Sequence, residues 1–158
     1  MDWGLSFDDG PSPYTPAVCI YQLLPPPFLT FVQLLQYLQQ QNLDATFFVI
    51  GASAYWNPTM VQAEYLAGHQ ISVHTWHHQY LTTLTNEEVV AELGYTREII
   101  KVSRNGNIYA SSSPCAQDII GVTPTTFRPP YGDFDDRIRA IAMAMGLQPI
   151  AWTRDCEH

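Results

Sequence analysis

The sequence predicts an α/β fold in which parallel strands alternate with helices. Three observations carry that expectation. Short runs rich in β-branched and aromatic residues end at glycine or turn residues, segments of helical period are closed by glycine, and the two kinds alternate along the chain. Such an order fits an open doubly wound sheet or part of a barrel, and in both the active site lies at the carboxyl ends of the strands. At 158 residues, with 46% apolar and 14% charged, the chain is about one domain with a sizeable core.

Trp3-Gly4-Leu5-Ser6-Phe7 reads as a strand running into the turn-rich loop Asp8-Asp9-Gly10-Pro11-Ser12-Pro13. Ala45 to Ile50 is a short buried strand closed by Gly51. Thr59 to Ala67 forms a helix stopped by Gly68, and His69 to His74 is a third strand. Thr85-Asn86-Glu87-Glu88 is a capping box that opens a helix to about Lys101. Phe127-Arg128 is a short strand before Pro129-Pro130-Tyr131-Gly132. Asp135 to Met145 is a helix ending at Gly146, and Gln148 to Trp152 is the last strand.

Two segments break the pattern, 18–33 with Pro25-Pro26-Pro27 and 102–117 with Ser111-Ser112-Ser113-Pro114. Three prolines inside a helix would destroy it. Without them, Thr15-Pro16-Ala17 joins Leu34 to Leu38 as a capped amphipathic helix, and Lys101 joins Asp118. Ile119 and Ile120 then share a face with Ile99 and Ile100. The segments have equal length, begin with codons that can spell an intron start, and end in Gln, which can encode an intron end. They read as non-native insertions, retained in-frame introns, within one domain over 1–158; the alternative is two ordinary surface insertions.

Composition excludes several function classes. Acidic residues outnumber basic ones 15 to 7, for a net charge of −8, which argues against a nucleic-acid backbone or an anionic membrane surface as partner. No apolar run is long enough for a membrane span, and Met1-Asp2-Trp3-Gly4 does not open a signal peptide. Cys19, Cys115 and Cys156 are too few and too scattered for a disulfide framework or a Cys-type zinc site.

Asp8 and Asp9 end a strand. Neighbouring strand residues point to opposite faces, so one carboxylate can ligate a metal while the other acts as a base; the alternative is a turn that favours Asp before Gly. His74-Thr75-Trp76-His77-His78 offers two imidazoles four residues apart directly after a strand, a spacing that can reach one metal from a single turn of chain. The alternative is a polar loop. With one carboxylate the pair supplies the three protein ligands of a catalytic zinc, and His77 between them need not be a ligand. Arg128-Pro129-Pro130-Tyr131-Gly132 is a charge leading into a rigid turn whose amide can be preorganised. Trp152 is either core or a sugar-stacking surface.

Taken in order, Leu5-Ser6-Phe7-Asp8-Asp9-Gly10-Pro11-Ser12, Ala45-Thr46-Phe47-Phe48-Val49, His74-Thr75-Trp76-His77-His78 and Arg128-Pro129-Pro130-Tyr131-Gly132 resemble the polysaccharide deacetylase family of the NodB-homology type, and within it fungal chitin deacetylases. The resemblance covers nearly the whole chain outside the two interrupting segments. It implies a distorted (β/α) barrel, incomplete here, and hydrolysis of the N-acetyl amide of N-acetylglucosamine units in chitin or a related polysaccharide. It implies Asp8 as general base, Asp9, His74 and His78 as ligands of Zn2+ or another divalent ion such as Co2+, and Arg128 holding Asp8. The Tyr131 amide would stabilise the oxyanion, Pro130 and Trp152 would line the groove, and Asp155 would support Arg128. The expected partner is an acetylated polysaccharide, the expected state a monomer, and the expected location outside the cell or at the cell wall. The sequence departs from the family by ending at His158, before the motif that usually supplies a general-acid His. Two further readings follow from that departure: a carbohydrate-binding remnant, or a misassembled gene model.

Overall fold

The structure, a computed structural model, describes residues 4–12, 31–101 and 120–152. Five strands, β1 (Leu5–Gly10), β2 (Ala45–Val49), β3 (Gln70–Val73), β4 (Thr126–Phe127) and β5 (Gln148–Pro149), form one sheet in the order 1-2-3-4-5, every pair parallel. Between them run α1 (Phe31–Gln41), α2 (Gly51–Trp56), α3 (Pro58–Leu66), α4 (Asn86–Ile100) and α5 (Asp136–Ala144). Each strand lies beside its predecessor, so the sheet has no point at which the strand order reverses. That decides between the two architectures open to the sequence: it is the winding of a (β/α) barrel, not of a doubly wound sheet.

The core lies between sheet and helices. Phe47 and Val49 of β2 and Val73 of β3 meet Leu34 and Leu38 of α1, Val61 of α3, Val89 and Leu93 of α4, and Ile138 of α5, all buried. The start of α4 follows its sequence signal. Thr85 Oγ1 accepts from the Glu88 N–H while Glu88 Oε2 accepts from the Thr85 N–H. Asp135 caps α5 by accepting from the Ile138 N–H. Gly68 (φ 96°) and Gly146 (φ 76°) follow α3 and α5 in the left-handed conformation that lets glycine end a helix.

Strand β1 runs on to Gly10, through residues expected in the loop, and three further elements differ from the sequence expectation. Helix α2 is an addition: Gly51 closes strand β2 as the sequence predicts, yet its N–H also donates to the Thr75 carbonyl and the Ala52 N–H to the Trp76 carbonyl, which starts a helix from tertiary contacts. Helix α1 begins at Phe31, so Phe31-Val32-Gln33 belong to it although they fall inside segment 18–33. Strand β5 stops at Pro149 instead of reaching Trp152. The rest of 18–33 and all of 102–117 lie outside the described residues, as do Asp155, His158 and the three cysteines. Helix α4 ends at Ile100, whose carbonyl accepts from the Ile120 N–H at 3.1 Å, so the chain returns at 120 to the point it left.

Candidate metal centre

Strand β1 carries a bulge. Phe7 pairs with Phe47 and Gly10 with Val49, so Asp8 and Asp9 together stand opposite Phe48. Asp9 takes a left-handed backbone (φ 65°). The simple alternation expected of adjacent strand residues is therefore broken, and both carboxylates serve one site with different partners.

Asp9 Oδ1 lies 3.2 Å from His74 Nε2 and 3.0 Å from His78 Nε2. The ligand atoms of these three residues all lie within 4.8 Å of one another. Donors bound at about 2.0–2.1 Å in a tetrahedron stand roughly 3.3 Å apart, so the cluster has the dimensions of a divalent transition-metal site. The ring orientations agree. His74 Nδ1 is 2.8 Å from the Arg128 carbonyl, which can only accept; Nδ1 therefore carries a proton, and Nε2, on the Asp9 side, is the nitrogen that a metal would use. His78 Nδ1 is 3.1 Å from the Tyr131 hydroxyl, which leaves its Nε2 also facing Asp9.

Electrostatics favour the ligating forms. The hydrogen bond from His74 holds the Asp9 carboxyl below its ordinary pKa, so it is ionised. Burial lowers the pKa of His78, which favours the neutral imidazole. His74 is buried, while Asp9 is half exposed and open to solvent.

Arg128 closes the site from below. Its Nη1 donates to Asp8 Oδ1 at 2.6 Å and to Ser6 Oγ at 2.8 Å, its Nε reaches the Ile150 carbonyl at 3.4 Å, and its guanidinium lies 4.0 Å from the Phe48 ring centroid. A buried Arg hydrogen-bonded to a carboxylate fixes that carboxylate in direction. Pro130 is buried in the turn that follows, and Tyr131 sits there at φ 58° with its side chain exposed. The Tyr131 ring stacks on Tyr80 at 4.2 Å, and the Trp152 ring comes within 3.4 Å of the space a Cβ on Gly132 would fill. Trp152 is more than a third exposed, which places it at the rim of the site instead of the core.

Of the residues singled out in the sequence, Asp8, Asp9, His74, His78, Arg128, Pro130, Tyr131 and Trp152 converge here; Asp155 lies outside the described residues. Sequence reasoning missed Ser6, Tyr80, Asp133 and Glu92. Asp133 accepts from the Thr82 N–H and hydroxyl at 2.8–2.9 Å and ties the Tyr131 turn to the loop after the histidines. Glu92 had a readable signal: it occupies the inward face of α4 with Val89, Leu93 and Ile100.

The polysaccharide deacetylase profile matches residues 26–108 and 108–150. The chain belongs to the polysaccharide deacetylase family. It is 52% identical over 151 residues to chitin deacetylase 1 of Cryptococcus neoformans var. grubii serotype A, an alignment covering 96% of this chain and 25% of that protein. Among solved structures it resembles a family 4 carbohydrate esterase from Streptomyces lividans, with 30% identity and a TM-score of 0.68 over 94% of this chain and 61% of that one. It also resembles the peptidoglycan deacetylase PdaC from Bacillus subtilis, with 27% identity and a TM-score of 0.67 over 94% and 57%. The chain spans about a quarter of the length of the first of these relatives. The family profile changes from one matched piece to the next at residue 108, inside segment 102–117. Among the described residues no helix is long and apolar enough to cross a membrane.

Proposed function

We propose that this polysaccharide deacetylase chain hydrolyses the N-acetyl amide of N-acetylglucosamine units in chitin or a related polysaccharide, with Zn2+ or Co2+ held by Asp9, His74 and His78. The observation that carries the reading is the convergence of two imidazole Nε2 atoms on one ionised carboxylate, with His74 Nδ1 committed to a carbonyl. The metal would polarise the acetamide carbonyl and make water more acidic. Asp8, aimed by Arg128, takes the proton as water attacks. The Tyr131 N–H supports the negative charge that develops on the carbonyl oxygen. A general acid must protonate the leaving nitrogen, and the proton taken up by Asp8 is the one the described site supplies; the carbon–nitrogen bond then breaks to give acetate and a free amine. Trp152, Tyr80 and Tyr131 offer ring faces beside the metal for sugar rings. Likeness to a chitin deacetylase and to a peptidoglycan deacetylase supports an acetylated glycan as partner. We infer action outside the cell or at the cell wall, where such polymers lie.

The test is acetate release from N-acetylated chito-oligomers by the purified chain, after chelation and after restoring Zn2+ or Co2+. Release that is lost on chelation, restored by the metal and absent in Asp9→Ala is the expected result. Release unaffected by chelation or by Asp9→Ala refutes the metal assignment. Oligomer binding without acetate release favours the carbohydrate-binding reading.

A further inference from the structure

The loop that carries the histidines is backbone-strained. Thr75 (φ 63°) and His78 (φ 58°) both adopt the left-handed conformation, which is unusual for a non-glycine residue and more so for β-branched Thr. Conformations of this kind persist only where their surroundings hold them. Between the two strained residues, the Trp76 and His77 N–H groups both donate to Glu92 Oε2 at 2.8 Å. Glu92 Oε1 lies 2.6 Å from His77 Nδ1. The Thr75 hydroxyl accepts from the His78 N–H at 3.1 Å.

Glu92 comes from α4, a separate element, and is only 7% exposed. Helix α4 is anchored in the core by Val89 and Leu93, and the Glu92 carbonyl accepts from the Thr96 hydroxyl. Three hydrogen bonds to a buried carboxylate thus fasten the middle of a loop whose His77 side chain is largely exposed. Those hydrogen bonds are part-buried, and a fixed acceptor gives them direction, because it sets the peptide planes on either side of the strained residues. The peptide planes in turn set where His78 Nε2 points, 3.0 Å from Asp9.

We propose that Glu92 is a positioning residue for the metal centre, acting through the backbone of the 75–78 loop and touching neither metal nor substrate. The proposal rests on the assignment of a metal to Asp9, His74 and His78. It separates the two faces of the loop: His74 and His78 look toward Asp9, while Trp76 and His77 are spent on Glu92.

The experiment titrates Co2+ into the purified chain by calorimetry and follows its visible absorption bands, with thermal unfolding recorded on each variant. Outer groups that orient metal ligands usually change affinity by about 10–100-fold, so Glu92→Ala is expected to weaken Co2+ binding at least about tenfold and to alter the bands. Glu92→Gln keeps one carbonyl oxygen able to accept from both N–H groups, and its amide can donate to His77 Nδ1; it is expected to stay within about threefold of the parent chain. Thr85→Ala removes the cap of the same helix without touching the loop; it should lower the unfolding temperature and leave the Co2+ bands unchanged. Should Glu92→Ala not fold, Glu92→Asp keeps the buried charge but is one methylene too short to reach both N–H groups, and should weaken Co2+ binding as well. Parent-like Co2+ affinity in folded Glu92→Ala or Glu92→Asp overturns the proposal. Glu92→Gln as weak as Glu92→Ala also overturns it, since charge and not acceptor geometry would then matter. A parent chain that binds no Co2+, or binds it equally with Asp9→Ala, removes the metal assignment itself; parent binding lost in Asp9→Ala but intact in the Glu92 variants removes only the role of Glu92.

Discussion

Glu64 offers the most quantitative prediction. It sits on α3 and is 1% exposed, beside Phe7, Phe31 and Phe47, and its Oε2 has no hydrogen-bond partner among the described residues. Burial pushes its pKa from 4.5 up to about 8. Between those values the unfolded chain has released the proton while the folded chain keeps it. The unfolded state then binds fewer protons, so stability falls as pH rises. A free carboxyl costs about 1.4 kcal/mol for each pH unit inside that window, flattening near its upper end. Integrated from pH 5.5 to pH 8, the loss is about 3 kcal/mol. Glu64→Gln has nearly the same shape and no charge to release, so it should lack this loss. His69 is also buried with both ring nitrogens unpartnered among the described residues, and burial lowers its pKa. Its contribution runs the other way, being lost as pH falls, but both proteins carry it and it cancels in the difference. Urea unfolding of the parent chain and Glu64→Gln at half-unit steps from pH 5.5 to pH 8.5 measures that difference. The variant should gain on the parent by about 3 kcal/mol across the range. Parallel stability curves with a constant offset would refute a buried, protonated Glu64.

Two other substitutions test the frame of the site. Arg128→Ala removes the guanidinium from Asp8, Ser6 and the face of Phe48 and leaves a half-buried carboxylate unpaired, so it should cost about 3 kcal/mol in urea unfolding; a loss under about 1 kcal/mol would mean that solvent replaces the pair. Gly51→Ala places a Cβ 2.4 Å from Trp76 Cε3 and 2.6 Å from Thr96 Oγ1, and since Trp76 is wedged between α2 and α4 it should cost about 1–3 kcal/mol, read from the same measurement; a parent-like midpoint would show that Trp76 turns aside freely.

What the sequence made legible was whatever is encoded in short range. The capping box at Thr85 and Glu88, the stops at Gly68 and Gly146, and the apolar runs of β2 and β3 each follow from a few neighbouring residues. Helix α2 was not legible because Gly51-Ala52-Ser53-Ala54-Tyr55-Trp56 is too short for a helical period to declare itself, and its start is supplied by carbonyls of Thr75 and Trp76. The bulge at Asp8-Asp9 was not legible because a register shift exists only between two strands. Strand β5 is short because its partner β4 is only Thr126–Phe127; the Ile150 N–H still donates to the Phe127 carbonyl, the last one that β4 offers. For the site, residue types and order sufficed to nominate the metal cluster, and the family resemblance joined its parts. The supports were hidden: Ser6, Tyr80, Asp133 and Glu92 matter for where their polar or aromatic atoms arrive, and only the fold fixes that.

The distribution of strain shows why those supports are needed. Asp9, Thr75, His78 and Tyr131 are four of the five non-glycine residues with positive φ among those described, and the fifth, Asn42, merely follows the end of α1. An ordinary strand end would carry successive side chains away to alternate faces. Asp8 and Asp9 from β1, His74 and His78 after β3, and Arg128 and Tyr131 after β4 converge because the backbone turns against its preference at four points. Each such turn costs roughly 1–3 kcal/mol, so the site stands only while other contacts offset it. Arg128 supplies those contacts from beneath, bonding strand β1 to the end of β5 through Asp8, Ser6 and Ile150. Glu92 supplies them from outside, on the loop between the two histidines. Asp133 supplies them from the Tyr131 turn to Thr82. A metal ion then meets ligands already aimed at one point, which requires less reorganisation than gathering three mobile side chains.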